Sequence, residues 1–301
     1  MCITTRMVRM TDLFDFSDFG ALVVLLQNSL WAGLVLGLVG GLIGPFVMSR
    51  DLAFAVHGIS ELSFAGAAAA LLLGVNVVAG SIIGSLVAAI LIGVLGARAR
   101  ERNSIIGVLM PFGLGLGILF LALYPGRSAN KFGLLTGQIV SVDSPQLTLL
   151  VTISVIVVAG LLLMWRPLTF ASVDPEVAEA RGVPVRGISL AFMVLLGLAT
   201  AVSIQIVGAL LVMALLVTPA AAAMRITTSA VLTPLLSMLF AVVSVVGGIM
   251  LSLGGGLPIS PFVTTISFLI YVVCRVIGWR TDVSRKAGRL TWRKQLSRSA
   301  P

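Results

Sequence analysis

Charged residues are scarce in this chain: they make up 10% of its 301 residues, whereas hydrophobic residues make up 58%. A soluble domain has about 25% charged residues and about 45–50% apolar ones. This scarcity excludes a soluble globular fold, because so short a chain could not bury that much apolar surface away from water. The bilayer must therefore act as the solvent, and each span must be a helix or part of a closed barrel.

Cysteine and histidine are nearly absent as well. Cys2 and Cys274 lie at opposite ends of the chain, which predicts neither a disulfide framework nor a paired-cysteine metal site. His57 is the only histidine, which excludes an H-E-x-x-H protease site. No lysine follows a G-x-x-x-x-G-K-S/T pattern, and no G-x-S-x-G elbow is present. The sequence therefore predicts neither an ATPase site nor an enzyme of these classes.

Long apolar runs are what the chain does contain. They are unbroken and about 20 residues long, the length at which a helix crosses the hydrocarbon core, whereas barrel strands would be shorter and alternating. We expect an all-α, polytopic membrane helical bundle of eight or nine transmembrane helices. The count is eight if 187–206 and 207–224 form one continuous segment. The nine segments are 21–48, 52–74, 76–97, 104–124, 146–165, 187–206, 207–224, 230–253 and 258–279.

The basic residues predict the orientation of the bundle. With the N-terminus outside and nine crossings, 16 of the 20 basic residues fall on the cytoplasmic side and 4 outside, as the positive-inside rule requires. Eight spans with both ends inside also fit if the merged segment is a re-entrant pair. We predict an extracytoplasmic segment over 1–20, which does not resemble a cleavable signal peptide, a transmembrane domain over 21–280 and a basic cytoplasmic tail over 281–301. Because the positive charges lie at helix ends and in this tail, the net charge of +9 does not indicate a nucleic-acid partner.

Two local patterns predict how the helices pack and end. Glycines spaced by four let helix backbones approach closely in lipid; the series are Gly33, Gly37 and Gly41, then Gly80 and Gly84, then Gly113 and Gly117. The polar stretch 174–182 reads as a short helix on the cytoplasmic face, with Asp174 as its N-cap, Pro175 at its first position and Gly182 at its end.

One pair of residues could bind a metal ion inside the membrane. Of the 11 acidic residues only Glu61 lies well inside an apolar span, and His57 lies four residues earlier, so both share one helix face. Imidazole and carboxylate together suit zinc, manganese and ferrous iron. Alternatively the two side chains pair with each other or with Ser60 and Ser63, or Glu61 is a protonated structural acid. Two copies facing each other would supply four ligands.

Four stretches resemble the ABC-3 family, the permease subunits of bacterial zinc and manganese ABC importers. They cover most of the chain from about 30 to 275. The first is 50–54 with 59–60 and Gly66, and the second is the outer-loop element 134–139 with Gly137 and Gln138. The third is the cytoplasmic helix 174–183, and the most specific is 207–221, which begins at Val207 and Gly208.

One departure from the family concerns the metal pair. The family usually has aspartate where this chain has His57, and histidine where it has Glu61, so the two ligand types are exchanged and not lost. We expect zinc as the preferred substrate and manganese next, because imidazole favours zinc. Metal binding is expected to depend on pH, since His57 must be neutral and Glu61 ionised.

The resemblance implies a type II ABC importer-like permease without its own ATPase site, located in the bacterial inner membrane. It implies a homodimer, a separate ABC ATP-binding subunit and an extracytoplasmic metal-binding protein as partners, with no permanently bound cofactor. It implies metal ligation by His57 and Glu61, and pathway or structural roles for Ser60, Gly66, Gly137, Gln138 and Gly208. The implied ATPase-coupling loop contains Thr218, Pro219, Ala220, Ala221, Ala222, Ala223 and Arg225.

Two other transport functions remain open from the sequence. A permease for a metal chelate such as a siderophore or cobalamin would need no ring of ligands. A secondary transporter could use Glu61 as a proton carrier, but it predicts inverted repeats, which the sequence does not contain.

Overall fold

The computed structural model describes residues 26–96, 99–126, 142–208, 211–255 and 259–298. Within these ranges the chain forms helices and no strand. The helices are α1 (Gln27–Ser49), α2 (Ala53–Leu73), α3 (Val77–Leu95), α4 (Ala99–Leu123), α5 (Ser144–Val173), α6 (Pro175–Ala180), α7 (Val185–Val207), α8 (Val212–Leu216), α9 (Thr218–Ile226), α10 (Leu232–Gly255) and α11 (Ile259–Arg298). Eight of them, α1–α5, α7, α10 and α11, are long and apolar enough to cross a membrane, which confirms the predicted all-α membrane bundle.

Local capping sets several helix ends. The Asn76 side chain accepts hydrogen bonds from the backbone of Val78 and Ala79 at 2.9 and 3.1 Å, so α3 begins there. Asp174 accepts from the Val177 amide at 3.0 Å and starts α6. Gly182 follows α6 with φ +81°, a conformation that favours glycine. The short helix predicted over 174–182 is therefore confirmed.

Helices α1 and α10 pack closely and run antiparallel. A Cβ added at Gly41 would lie 2.4 Å from the Met238 Cα, and one at Gly33 would lie 2.8 Å from a Val245 methyl group. The contacts are antiparallel because Gly33 meets Val245 whereas Gly41, later in α1, meets Met238, earlier in α10. Only glycine permits this approach, so the predicted packing role of this series is confirmed.

The passage from α7 to α10 consists of two short helices instead of one span. Helix α7 ends at Gly208, and the chain then returns along α1, where Leu215 packs against Gly40. Helix α9 ends with the Arg225 carbonyl beside Gly278 near the end of the α11 span. Segment 207–224 is therefore a broken pass made of two short helices, in addition to the eight helices that are long and apolar enough to cross a membrane.

One end of the bundle carries the positive charge. We call it the basic end: α1 finishes there at Ser49, and the span of α11 finishes there at Trp279. The arginines whose side chains are described all lie toward it: Arg50, Arg102, Arg166, Arg181, Arg186, Arg225 and Arg275. The predicted segment 1–20 lies outside the described residues. In the predicted tail, the backbone of α11 continues as a helix to Arg298.

Candidate functional site

His57 and Glu61 lie one turn apart on α2, which begins at the basic end. With a rise of 1.5 Å per residue, Glu61 is about 12 Å from the start of this helix, well inside the apolar span Ala53–Leu73. The His57 Nε2 and Glu61 Oε1 atoms are 3.6 Å apart. This distance is too long for a hydrogen bond. The helix therefore brings the two side chains onto one face without locking them to each other.

Each of these side chains keeps one ligating atom without a partner. His57 Nδ1 and Glu61 Oε2 are buried and make no hydrogen bond among the described residues. The Glu61 side chain is only 7% exposed and that of His57 is 31% exposed. A buried polar group without a partner costs free energy, so each of these two atoms is available to a hydrogen-bond donor or a cation.

The described part of one chain offers too few ligands for a closed site. Among the residues that the structure describes, no group of three or more His, Cys, Asp or Glu side chains could hold a metal ion. The pair provides one imidazole and one carboxylate. Further ligands must come from outside these ranges, from water or from a second copy of the chain.

Of the two neighbouring serines that the sequence left open as partners, Ser63 is directed away from the pair. Ser63 Oγ is 2.7 Å from Ser81 Oγ and donates to the Ser81 carbonyl at 2.9 Å, so this hydroxyl is directed toward α3. Ser60 is fully buried in α2. The alternative in which Ser63 pairs with His57 or Glu61 is therefore not observed.

Of the three glycines named as pathway or structural residues, two lie within the described residues, and their backbone positions are of different kinds. A Cβ at Gly66 would lie 2.2 Å from the Gly80 carbonyl oxygen, so this glycine lets α2 touch α3. Gly208 has φ +84° and ends α7 where the broken pass begins. Gly137 and Gln138 lie outside the described residues.

The predicted coupling loop forms α9, and most of its alanines face inward. Ala220, Ala222 and Ala223 are fully buried against the rest of this chain, Ala221 is partly buried, and Thr218 and Pro219 open the helix. The exposed apolar side chains are Met224 at 41% and Ile226 at 44%, next to the exposed Arg225. The sequence interpretation emphasised the run of small side chains and did not single out these two residues, although they lie at the end of an amphipathic helix.

Three comparisons place the chain among known proteins. The sequence model of the ABC 3 transport family matches residues 23–278. The manganese transport system membrane protein MntC of Halalkalibacterium halodurans is 31% identical over 244 residues, 81% of this chain and 84% of that protein. The manganese import system permease protein ScaB of Streptococcus parasanguinis is 32% identical over 199 residues, 66% of this chain and 71% of that protein. The solved structure of PsaBC from Streptococcus pneumoniae in complex with Fab has a TM-score of 0.77 and 26% identity, and the match covers 86% of this chain and 95% of that one.

Proposed function

Because the chain belongs to the ABC 3 transport family, we propose that two copies of it form the membrane pathway of an ATP-driven manganese importer. The chain is a multi-pass permease subunit of the bacterial membrane, and an ATP-binding subunit supplies the ATPase site. It works with that subunit and with a substrate-binding protein to import a divalent metal.

The observation that carries this proposal is the buried pair of unpartnered atoms, His57 Nδ1 and Glu61 Oε2. A transit site must bind the ion well enough to admit it and weakly enough to release it. One imidazole and one carboxylate per copy, without a thiolate, meet both demands. A second copy would double these ligands at the dimer axis.

Manganese is the first candidate because the relatives MntC and ScaB carry manganese in their names. Carboxylate oxygens suit manganese, whereas imidazole also suits zinc. Glu61 can supply two oxygens, so two copies offer up to four oxygens and two nitrogens. That set fits a six-coordinate ion, and zinc is the second candidate.

The mechanism that we propose is alternating access. The binding protein delivers the ion at the end of the bundle opposite the basic end, which the positive-inside rule places outside the cell. The ion passes the His57 and Glu61 side chains of both copies. ATP binding and hydrolysis in the partner subunits switch the helices between outward and inward states.

Metal uptake tests the substrate directly. Cells that lack their own manganese and zinc importers would express this chain with its ATP-binding subunit and binding protein, and would receive radioactive manganese or zinc separately. We expect saturable manganese uptake that requires an intact P-loop lysine in the ATP-binding subunit. Zinc uptake without manganese uptake would make zinc the substrate in place of manganese. Uptake of neither metal by an assembled complex would overturn the importer proposal. A proton-coupled transporter would stop with an uncoupler while ATP is maintained.

The exposed end of α9 is the surface that we propose for coupling to the ATP-binding subunit. Ile226→Asp is expected to reduce copurification of that subunit by about tenfold or more, because a charge would replace a central apolar contact. The matched control is Val177→Asp on α6, since Val177 is 45% exposed and Ile226 is 44% exposed at the same end of the bundle. If Val177→Asp and not Ile226→Asp released the subunit, the coupling surface would lie on α6.

A further inference from the structure

A cavity of about 390 Å³ opens at the basic end, away from the metal pair. The end of α1, the last turn of α3, the first turns of α4 and the start of α7 form its walls. Three arginines line it, Arg50, Arg102 and Arg186, and no acidic residue is among its described lining residues. The cavity is therefore strongly positive.

Two of these arginines are held in place by the protein. Arg50 donates hydrogen bonds to Ser172 Oγ at 3.3 Å and to Ser189 Oγ, and its guanidinium lies 5.8 Å from the centre of the Phe192 ring. Arg102 donates to the Arg50 carbonyl at 3.1 Å. The charges are thus fixed at the wall before any ligand arrives, which lowers the entropic cost of binding.

The positive charge in the cavity is only partly compensated. Arg102 Nε is buried and has no hydrogen-bond partner among the described residues. Asp51 is close enough to Arg102 to attract it, but Asp51 is not among the residues that line the cavity. Burial and the neighbouring charge of Arg102 lower the pKa of Arg50. An anion in the cavity would relieve both the repulsion and the unsatisfied donor.

The depth of the cavity matches the headgroup layer of the membrane. The spans that border it end or begin there, at Ser49, Leu95, Glu101 and Val185. Apart from Ser189, the remaining wall has no polar side chain and includes Val94 and Leu190. A positive pocket with an apolar side at this depth suits a molecule that has a phosphate and an acyl chain.

We infer that this cavity binds the phosphate headgroup of an anionic phospholipid, with Arg102 and Arg186 contacting the phosphate and Val94 and Leu190 contacting the start of an acyl chain. Arginine is suited to this role because its planar guanidinium can donate two parallel hydrogen bonds to phosphate oxygens. The bound lipid would tie α1, α3, α4 and α7 together at the basic end. A free phosphate shares the same headgroup chemistry, and the experiment separates the two sources.

Native mass spectrometry of the purified full-length chain in detergent tests this inference. The protein would be titrated with dioleoyl phosphatidylglycerol, with dioleoyl phosphatidylcholine and with inorganic phosphate alone. We expect the wild type to bind phosphatidylglycerol more tightly than phosphatidylcholine. Arg186→Gln should weaken phosphatidylglycerol binding about fivefold, and Arg102→Gln at least about tenfold because it removes buried charged donors.

Arg181→Gln is the matched control, because Arg181 is an exposed arginine at the same end that does not line the cavity. The Arg181→Gln variant should bind phosphatidylglycerol as the wild type does, and Arg186→Lys, which keeps the charge, should bind it more tightly than Arg186→Gln does. Arg186 is exposed, so its variants keep the test valid if Arg102→Gln fails to fold. Equal binding of the two lipids, or equal losses in Arg186→Gln and Arg181→Gln, would overturn the inference. Binding of inorganic phosphate without binding of phosphatidylglycerol would overturn the lipid assignment.

Discussion

Replacing His57 by alanine or Glu61 by glutamine is expected to reduce manganese uptake by about 100-fold or more, since loss of even a supporting residue at a metal site costs 10–100-fold. Each variant removes one of the two ligand types that α2 presents on one face. The remaining residue of the pair would then be left without the metal ion and without the side chain beside it. The measurement is uptake of radioactive manganese by cells with the complete importer, with the amount of permease in the membrane determined in parallel.

The matched controls separate ligation from a structural role. Glu179→Gln removes an exposed carboxylate on α6 and should leave uptake unchanged. His57→Asp/Glu61→His places the two ligand types in the order that is usual in the family, and we expect it to retain uptake within about tenfold. If the pair were purely structural, the single variants would lower the thermal stability of the purified protein. The amount of manganese that the protein binds, measured by electron paramagnetic resonance, would then be the same as in the wild type.

Gly66→Ala is expected to destabilise the fold by about 3 kcal/mol, at the upper end of the cost of overpacking. The added Cβ would lie 2.2 Å from the Gly80 carbonyl oxygen and 3.1 Å from the Gly84 Cα. These are backbone atoms, so α2 and α3 must separate to make room. In lipid this separation removes the van der Waals contacts that hold helices together. Thermal unfolding of the purified protein, monitored by size-exclusion chromatography, measures the loss.

Two glycines on α4 provide matched controls for this variant. A Cβ at Gly107 or Gly115 would meet nothing within 4 Å. Alanine at either position should be neutral or stabilise the protein by about 0.5–1 kcal/mol, because glycine is a poor helix former. If Gly66→Ala were as stable as Gly107→Ala, the close contact between α2 and α3 would not depend on glycine.

Much of the fold could be predicted because it depends on local patterns. Helix α6 follows from the capping residue Asp174 and from Gly182, which are adjacent in sequence to the turns that they make. The packing of α1 on α10 follows from glycines spaced by four, although their partners could not be named. The shared face of His57 and Glu61 follows from the helical repeat, because four residues complete about one turn.

Other features could not be predicted because they depend on contacts between distant residues. The sequence over 207–224 is mostly apolar, and although Pro219 indicated a kink or a helix end there, the break into α8 and α9 was not fixed by local residues. The alanines of α9 looked like a surface for a partner, yet α9 packs against α1, α10 and α11, and three of its four alanines are fully buried. The sequence left Ser63 open as a partner of Glu61, but Ser63 pairs with Ser81 on α3 in the structure.

The sequence by itself determined that this protein crosses a membrane as helices and that one of them carries an imidazole and a carboxylate one turn apart, since hydrophobicity and helical periodicity are properties of neighbouring residues. Only the tertiary structure decided that the pair keeps two buried atoms without partners, and that Arg50, Arg102 and Arg186 line one cavity. The physical reason is that burial and uncompensated charge are set by the packing of helices that are far apart in the chain.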